Sequence, residues 1–360
     1  MPADLTPPSL ATMTTSAASP PAASYPSGHA GIDRAWDGEA WTGPAITNPD
    51  APALHALRSL GRTLRRLPVW IAVAGIFIGL ALSAIGVSGK THNTPVLLVA
   101  GFVATGGPIL ALILGVHRRL GIGSLPARQA TLAGLGSAVV AMGVAYSLET
   151  WLTPVLGGKT GAPSEGLLLL AGPIEEGAKL LVPVILLVAG VGFVRTPRLG
   201  VWAVLLSSGL FGAFEGALYA ANLGGARTSD TGEKLAEALK LSTDSGNVAA
   251  ELMSLSSRIW VELGHPIWTT GAAVLIWLAV HNGRKALSVV TLIAYLAAAA
   301  LHSFNDGVLT LLPSTLPVLG SIVWLTLSYV LWFRPLVRRL VPPTALDQVP
   351  ARWIPALPKK

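Results

Sequence analysis

Cysteine is absent from the 360-residue chain, which excludes disulfides, a thiol nucleophile and any Cys-ligated metal site. Charge is scarce. Asp, Glu, Lys and Arg make up 12% of residues against 52% hydrophobic ones, and the mean hydropathy is +0.61. So little charge cannot cover the surface of a soluble domain, and the composition reads as a polytopic membrane protein. A basic-then-apolar leader is also missing, so no cleavable signal peptide is expected. Residues 1–60 are rich in Ala, Pro, Ser and Thr and read as a disordered cytoplasmic tail, with Ala35–Trp41 as a docking motif at most. A second Pro-rich cytoplasmic tail covers residues 340–360. The net charge of +7 then reads as membrane topology, and no nucleic-acid partner is expected.

What is present is a series of apolar runs. A helix of about 20 residues crosses the hydrocarbon. Eight runs qualify: roughly 68–88, 95–116, 130–154, 166–193, 199–222, 259–281, 286–311 and 316–333. The expected fold is therefore all-α, a polytopic membrane helix bundle of about eight transmembrane helices over residues 66–335. Glycine (39) and proline (27) are abundant, as suits closely packed and kinked membrane helices.

Basic residues orient the spans. Arg58, Arg62, Arg65 and Arg66 precede the first, and Arg118, Arg119 and Arg128 follow the second. Arg195 and Arg198 lie between the fourth and fifth, Arg284 and Lys285 between the sixth and seventh, and Arg334, Arg338 and Arg339 after the last. The three internal basic connections contain no acid. By the positive-inside rule both termini are cytoplasmic, and the loop 223–258 is extracytoplasmic. Part of that loop has an amphipathic helical pattern.

This topology places the polar residues of four spans at one depth. Glu175, Glu176 and Lys179 sit on the fourth span, Glu215 on the fifth, His265 on the sixth, and His302 and Asp306 on the seventh. All lie about 7–15 Å below the outer surface at about 1.5 Å per residue. Ionisable groups in hydrocarbon cost upward of about 2.5 kcal/mol each and persist where they pair, line a wet cavity or do chemistry. Lys179 falls angularly between Glu175 and Glu176 and can pair with either. His302 and Asp306 share a face at i,i+4, and Asn305 lies beside them. Glu149 and Glu262 fall near span ends and read as wetted interface residues. The layer is an active-site inventory: a carboxylate base or metal ligands, histidines for an oxyanion or a metal, and further acids to orient them. A proton-coupled transporter also uses such residues, but its inner half would need them too. A catalytically silent scaffold is the other alternative.

The ordered set Glu175-Glu176-x-x-Lys179, Phe211-x-x-x-Glu215, Gly264-His265 with Thr269, and His302-x-x-x-Asp306 resembles the PrsW family of intramembrane proteases. That family is related to the CAAX prenyl endopeptidases and Abi proteins. The resemblance covers roughly 165–310 and implies catalytic helices at about 166–311. It implies endopeptidase cleavage of a membrane-associated protein, such as an anti-sigma-factor-like regulator, in the lipid bilayer of a bacterial cell membrane. Glu175 or Glu176 would activate a water, tuned by Lys179. His265 and His302 would support the oxyanion, and Glu215 and Asp306 would orient the histidines. Zinc is the open cofactor question, with His265, His302 and Glu215 or Glu175 as its candidate ligands.

The topology is checked by a single cysteine in place of Lys240 in this cysteine-free chain. It is expected to react with a membrane-impermeant maleimide added outside; labelling only from the cytoplasmic side would invert the orientation.

Overall fold

The computed structural model describes residues 23–26, 32–36, 41–47, 67–87, 93–120, 125–158, 164–226, 243–309 and 316–340. The chain divides into two compact units, Met1–Arg66 and Leu67–Lys360. In the first, β1 (Ala23–Pro26), β2 (Ile32–Trp36) and β3 (Trp41–Thr47) form an antiparallel meander, with Trp36 opposite Trp41. Strand pairing thus occurs within the segment that composition reads as a tail. The aromatic and β-branched residues Tyr25, Ile32, Trp36, Trp41 and Ile46 suit it.

Every regular element described in the second unit is helical. The helices are α1 (Leu67–Val87), α2 (Thr94–Leu120), α3 (Leu125–Val155), α4 (Glu165–Val188), α5 (Pro197–Ala226), α6 (Thr243–His281), α7 (Val289–Ser303) and α8 (Leu316–Leu327). A π-helical turn, Phe304–Val308, prolongs α7. A π-helical segment and a short α-helix carry α8 on to Arg338. Seven of these eight are long and apolar enough to cross a membrane. The eighth, α4, has the length, but every 18-residue stretch of it contains Glu175, Glu176 and Lys179. The helix least suited to lipid is the one with the densest charge.

Burial separates centre from rim. The most apolar stretches of α5 and α6 are 83% buried, against 22–39% for the other five candidate spans. The rim helices turn large side chains such as Phe77, Leu132, Trp151, Val289 and Leu331 outward. Those side chains are the lipid-facing surface of a bundle.

Two boundaries differ from the sequence expectation. The sixth span is part of a 39-residue helix that also takes in the amphipathic stretch before it, and Pro266 does not break it. The connection left between α5 and α6, residues 227–242, lies outside the described residues. The glycines of the third span do not interrupt α3 either.

Prolines explain how α4 is gripped. A helical proline lacks the N–H that would bond the carbonyl four residues back. Pro173 frees the Leu169 carbonyl, which accepts from Ser303 Oγ of α7 at 2.7 Å. Pro183 frees the Lys179 carbonyl, which accepts from Ser207 Oγ of α5 at 3.2 Å. Neighbouring helices thus satisfy both carbonyls, as hydrocarbon requires. The acidic turn of α4 lies between these two clamps.

Glycine sets the approach of the helices. A Cβ at Gly212 of α5 would lie 2.7 Å from the Glu262 carbonyl and 3.0 Å from His265 Cδ2. A Cβ at Gly172 would collide with Ser303 Oγ and the Ala299 carbonyl. A Cβ at Gly177 would meet only Tyr295, at 3.7 Å. Gly212→Ala is therefore expected to destabilise the folded protein by about 1–3 kcal/mol, typical of overpacking. Gly177→Ala is expected to be neutral. Thermal unfolding of the two variants in detergent checks the contrast, and equal midpoints would refute it.

Candidate active site

The seven residues picked out in one layer come together. All are buried, at 8% exposure or less, and they stand on α4, α5, α6 and on α7 with its π-helical extension.

Lys179 is at the centre with no exposed surface. Its ammonium lies 3.1 Å from Glu175 Oε2, 3.0 Å from Glu176 Oε1 and 2.6 Å from His265 Nδ1, so each of its three hydrogens has an acceptor. The ammonium also lies 4.3 Å over the Phe211 ring, a cation–π contact. An ammonium only donates, so His265 Nδ1 accepts here and carries no proton. The other nitrogen, Nε2, lies 2.9 Å from Glu262 Oε2 and 2.9 Å from Glu215 Oε2.

His302 stands edge-on to His265, with ring centres 4.8 Å apart, and stacks on Trp268 at 5.0 Å. Its Nδ1 lies 3.1 Å from Glu176 Oε1 and its Nε2 lies 3.3 Å from Asp306 Oδ2. The π-helical turn sits directly after His302 and carries Asp306. Asn305 Nδ2 donates to Asp306 Oδ1 at 2.9 Å, so Asn305 supports Asp306 instead of replacing it. Glu176 is the most heavily engaged acid. It also accepts from Thr269 Oγ1 at 2.6 Å. Glu175 Oε2 lies 3.6 Å from His265 Nδ1 and 3.8 Å from His302 Nε2.

Glu262 corrects the sequence reading. It has no exposed surface, contacts His265 and pairs with Arg258. Its apparent place near a span end reflected a span taken to start at residue 259. The helix starts at Thr243, so Glu262 lies deep within it. Glu149 of α3 is half-buried and lies within interaction range of Glu175. Sequence reasoning also missed Arg258, which pairs with Glu215 and Glu262. The available signal was spacing: Arg258, Glu262, His265 and Thr269 fall on one face of a helix at about 100° per residue.

Glu149 stands at the edge beside Glu175; within the site, among the described residues, five buried carboxylates (Glu175, Glu176, Glu215, Glu262 and Asp306) share the space with two side-chain cations, Lys179 and Arg258. With neutral histidines that leaves an excess of three negative charges. Inside a membrane such an excess needs protons or a bound cation. Two sets of three residues each place a ligand atom within 4.8 Å of the others: Glu175, His265 and His302, and Glu215, Glu262 and His265. Ligand atoms about 2.0–2.2 Å from a tetrahedral zinc stand about 3.3–3.6 Å apart, close to the Glu175–histidine spacings. In donor type, spacing and charge the first set fits a divalent metal.

Residues 126–337 match the family described as PrsW family intramembrane metalloprotease. The chain belongs to that family. The match covers more than half of the sequence and all four site helices. This PrsW-family protein is an integral membrane protein and a membrane-embedded protease. No curated protein matches it, and no solved structure does. The family description names a metalloprotease, so the open cofactor question moves toward a metal.

Lys179 is the test of how the charges balance. Lys179→Met leaves Glu175 and Glu176 buried without their cation, which typically costs about 3–5 kcal/mol. Lys179→Met/Glu176→Gln removes one of the stranded charges and is expected to regain part of that stability. Unfolding midpoints in detergent read the difference, and a double variant no more stable than the single one would contradict this account.

Proposed function

We propose that this protein cuts a membrane-anchored protein near the extracytoplasmic surface, with a divalent metal held by Glu175, His265 and His302. The observation that carries this reading is the convergence of Glu175 Oε2 with His265 Nδ1 and His302 Nε2 at 3.6 and 3.8 Å. A metal bound there would activate a water and polarise the scissile carbonyl.

The remaining residues hold that set in place. Glu176 accepts at His302 Nδ1, and Nε2 lies between Asp306 at 3.3 Å and Glu175 at 3.8 Å, so Asp306 would have to give up Nε2 to a bound metal. Glu215 and Glu262 hold His265 from its Nε2 side, leaving Nδ1 inward. Such carboxylate–histidine pairs fix the tautomer and ring direction of a ligand. Thr269 holds Glu176 from the far side. The buried site excludes bulk water, and the orientation from basic clusters puts it in the outer half of the membrane. A substrate cut there is an extracytoplasmic juxtamembrane segment; an anti-sigma-factor-like regulator is one protein of that class.

One observation favours a second reading. Lys179 Nζ lies at the point where Glu175 and His265 Nδ1 would share a metal. In a metal-free mechanism Glu175 takes the proton of the attacking water, Lys179 offsets its charge, and the histidines support the oxyanion.

The experiment uses purified protein in liposomes with a membrane-anchored reporter, together with metal analysis. The metal reading expects about one divalent ion per chain, activity lost on chelation and restored by zinc, and loss of the ion in Glu175→Gln and His302→Ala. Both variants are expected to lose at least about 100-fold in cleavage, as an acid–base or ligand role implies. Metal-free protein that resists chelators yet depends on Glu175 would establish the second reading. Normal cleavage by both variants would refute the assignment of the site.

A further inference from the structure

Arg258 closes a ring of four groups that the reaction outlined above does not itself require. It lies one turn before Glu262 and two turns before His265, on the same face of α6. Its Nη2 donates to Glu215 Oε1 at 3.0 Å and pairs with Glu262 Oε1. Its guanidinium carbon lies 3.6 Å over the Tyr219 ring, one turn beyond Glu215 on α5. Each carboxylate thus uses one oxygen on Arg258 and turns the other to His265 Nε2, at 2.9 Å in both cases.

The chemistry of that ring is constrained. One imidazole nitrogen carries at most one proton, so Glu215 and Glu262 share a single N–H. Two carboxylates this close in a low-dielectric interior repel strongly. A guanidinium is suited to holding both, because the two hydrogens of its Nη2 lie at a fixed angle in one plane and each can serve one carboxylate. Arg258 also supplies the cation of the second potential metal set, Glu215, Glu262 and His265.

We propose that Arg258 is a positioning residue: acting through Glu215 and Glu262, it holds His265 with Nε2 outward as the donor and Nδ1 inward toward Glu175. The inference rests on the protease reading for its catalytic consequence. Its structural core, the tautomer and direction of His265, stands independently of any cleavage.

The test uses the full chain in liposomes as wild type, Arg258→Lys, Arg258→Met and Arg258→Met/Glu262→Gln. Two quantities are read: kcat and KM for the membrane-anchored reporter, and the 15N spectrum of His265 without substrate, assigned by comparison with His265→Asn. Wild type is expected to show the Nε2–H tautomer. Arg258→Met is expected to shift and broaden the Nε2–H signal, because the ring loses its fixed direction while Lys179 still keeps Nδ1 free of hydrogen, and to fall by about 10–100-fold in kcat, the range typical of groups that orient ligands, with KM little changed. Arg258→Lys keeps the charge without the fork and is expected to fall between the two. The double variant removes the cation and one of the two carboxylates it holds apart, so Glu215 alone can orient the ring. It is expected to regain at least several-fold in kcat over Arg258→Met, together with the wild-type His265 spectrum. A wild-type spectrum and kcat in Arg258→Met would overturn the proposal. So would a double variant no better than Arg258→Met, because Arg258 would then act through something other than these carboxylates. Absence of cleavage by wild type sinks the protease reading, whereas an unchanged His265 spectrum in Arg258→Met sinks this one.

Discussion

The burial of Lys179 is the constraint on which the rest of the site depends. An ammonium with no exposed surface inside a membrane helix survives only if every hydrogen finds an acceptor. Here the three acceptors are two acids of its own helix and a histidine of another. The need to satisfy one cation therefore draws α6 against α4. It also decides the protonation of His265, since a nitrogen that accepts from lysine is free of hydrogen. That nitrogen and Glu175 then face one point. The same contact that makes the buried charge tolerable brings together the residues proposed as ligands.

Bringing four helices that close requires backbone as much as side chain. On α4 the two prolines each free a carbonyl, and hydroxyls of α7 and α5 take them up. On α5, Gly212 lets the Glu262 carbonyl and the His265 ring approach to distances no Cβ would permit. In water these features would weaken helices. In lipid, where the freed groups have no solvent partner, they become specific interhelical ties. The acidic turn of α4 is held at both ends by such ties, which keeps Glu175 and Glu176 in register with the histidines.

Much of this was legible in the sequence because the strongest signals were chemical misfits. Glu175, Glu176 and Lys179 in an apolar run, and His302 four residues before Asp306, stand out against lipid without any structure. The number of helices and the meeting of four of them followed from hydropathy and basic clusters. Glu262 and Arg258 were hidden for a specific reason. Their depth was judged from where apolarity begins, whereas α6 begins 16 residues earlier, at Thr243. A helix longer than the membrane moves residues from the apparent interface into the packed interior. The β-meander was hidden differently: Ala, Pro, Ser and Thr dominate the N-terminal composition and mask three short runs of strand-forming residues.

The two cations of the site divide the work between the two faces of one imidazole. Lys179 approaches His265 from Nδ1, and Arg258 reaches it from Nε2 through two carboxylates. Their chemistry suits these places. Arginine stays charged and holds both acceptors on one rigid amino group, Nη2, so it serves as a permanent support. Lysine is a point charge on a flexible stem, able to keep Glu176 while releasing Glu175 and His265 Nδ1. A site that had to admit a divalent ion or a substrate would place the rigid cation outside and the movable one inside. The proposed metal site would ask for that release, with Lys179 keeping Glu176 and Arg258 keeping its two carboxylates.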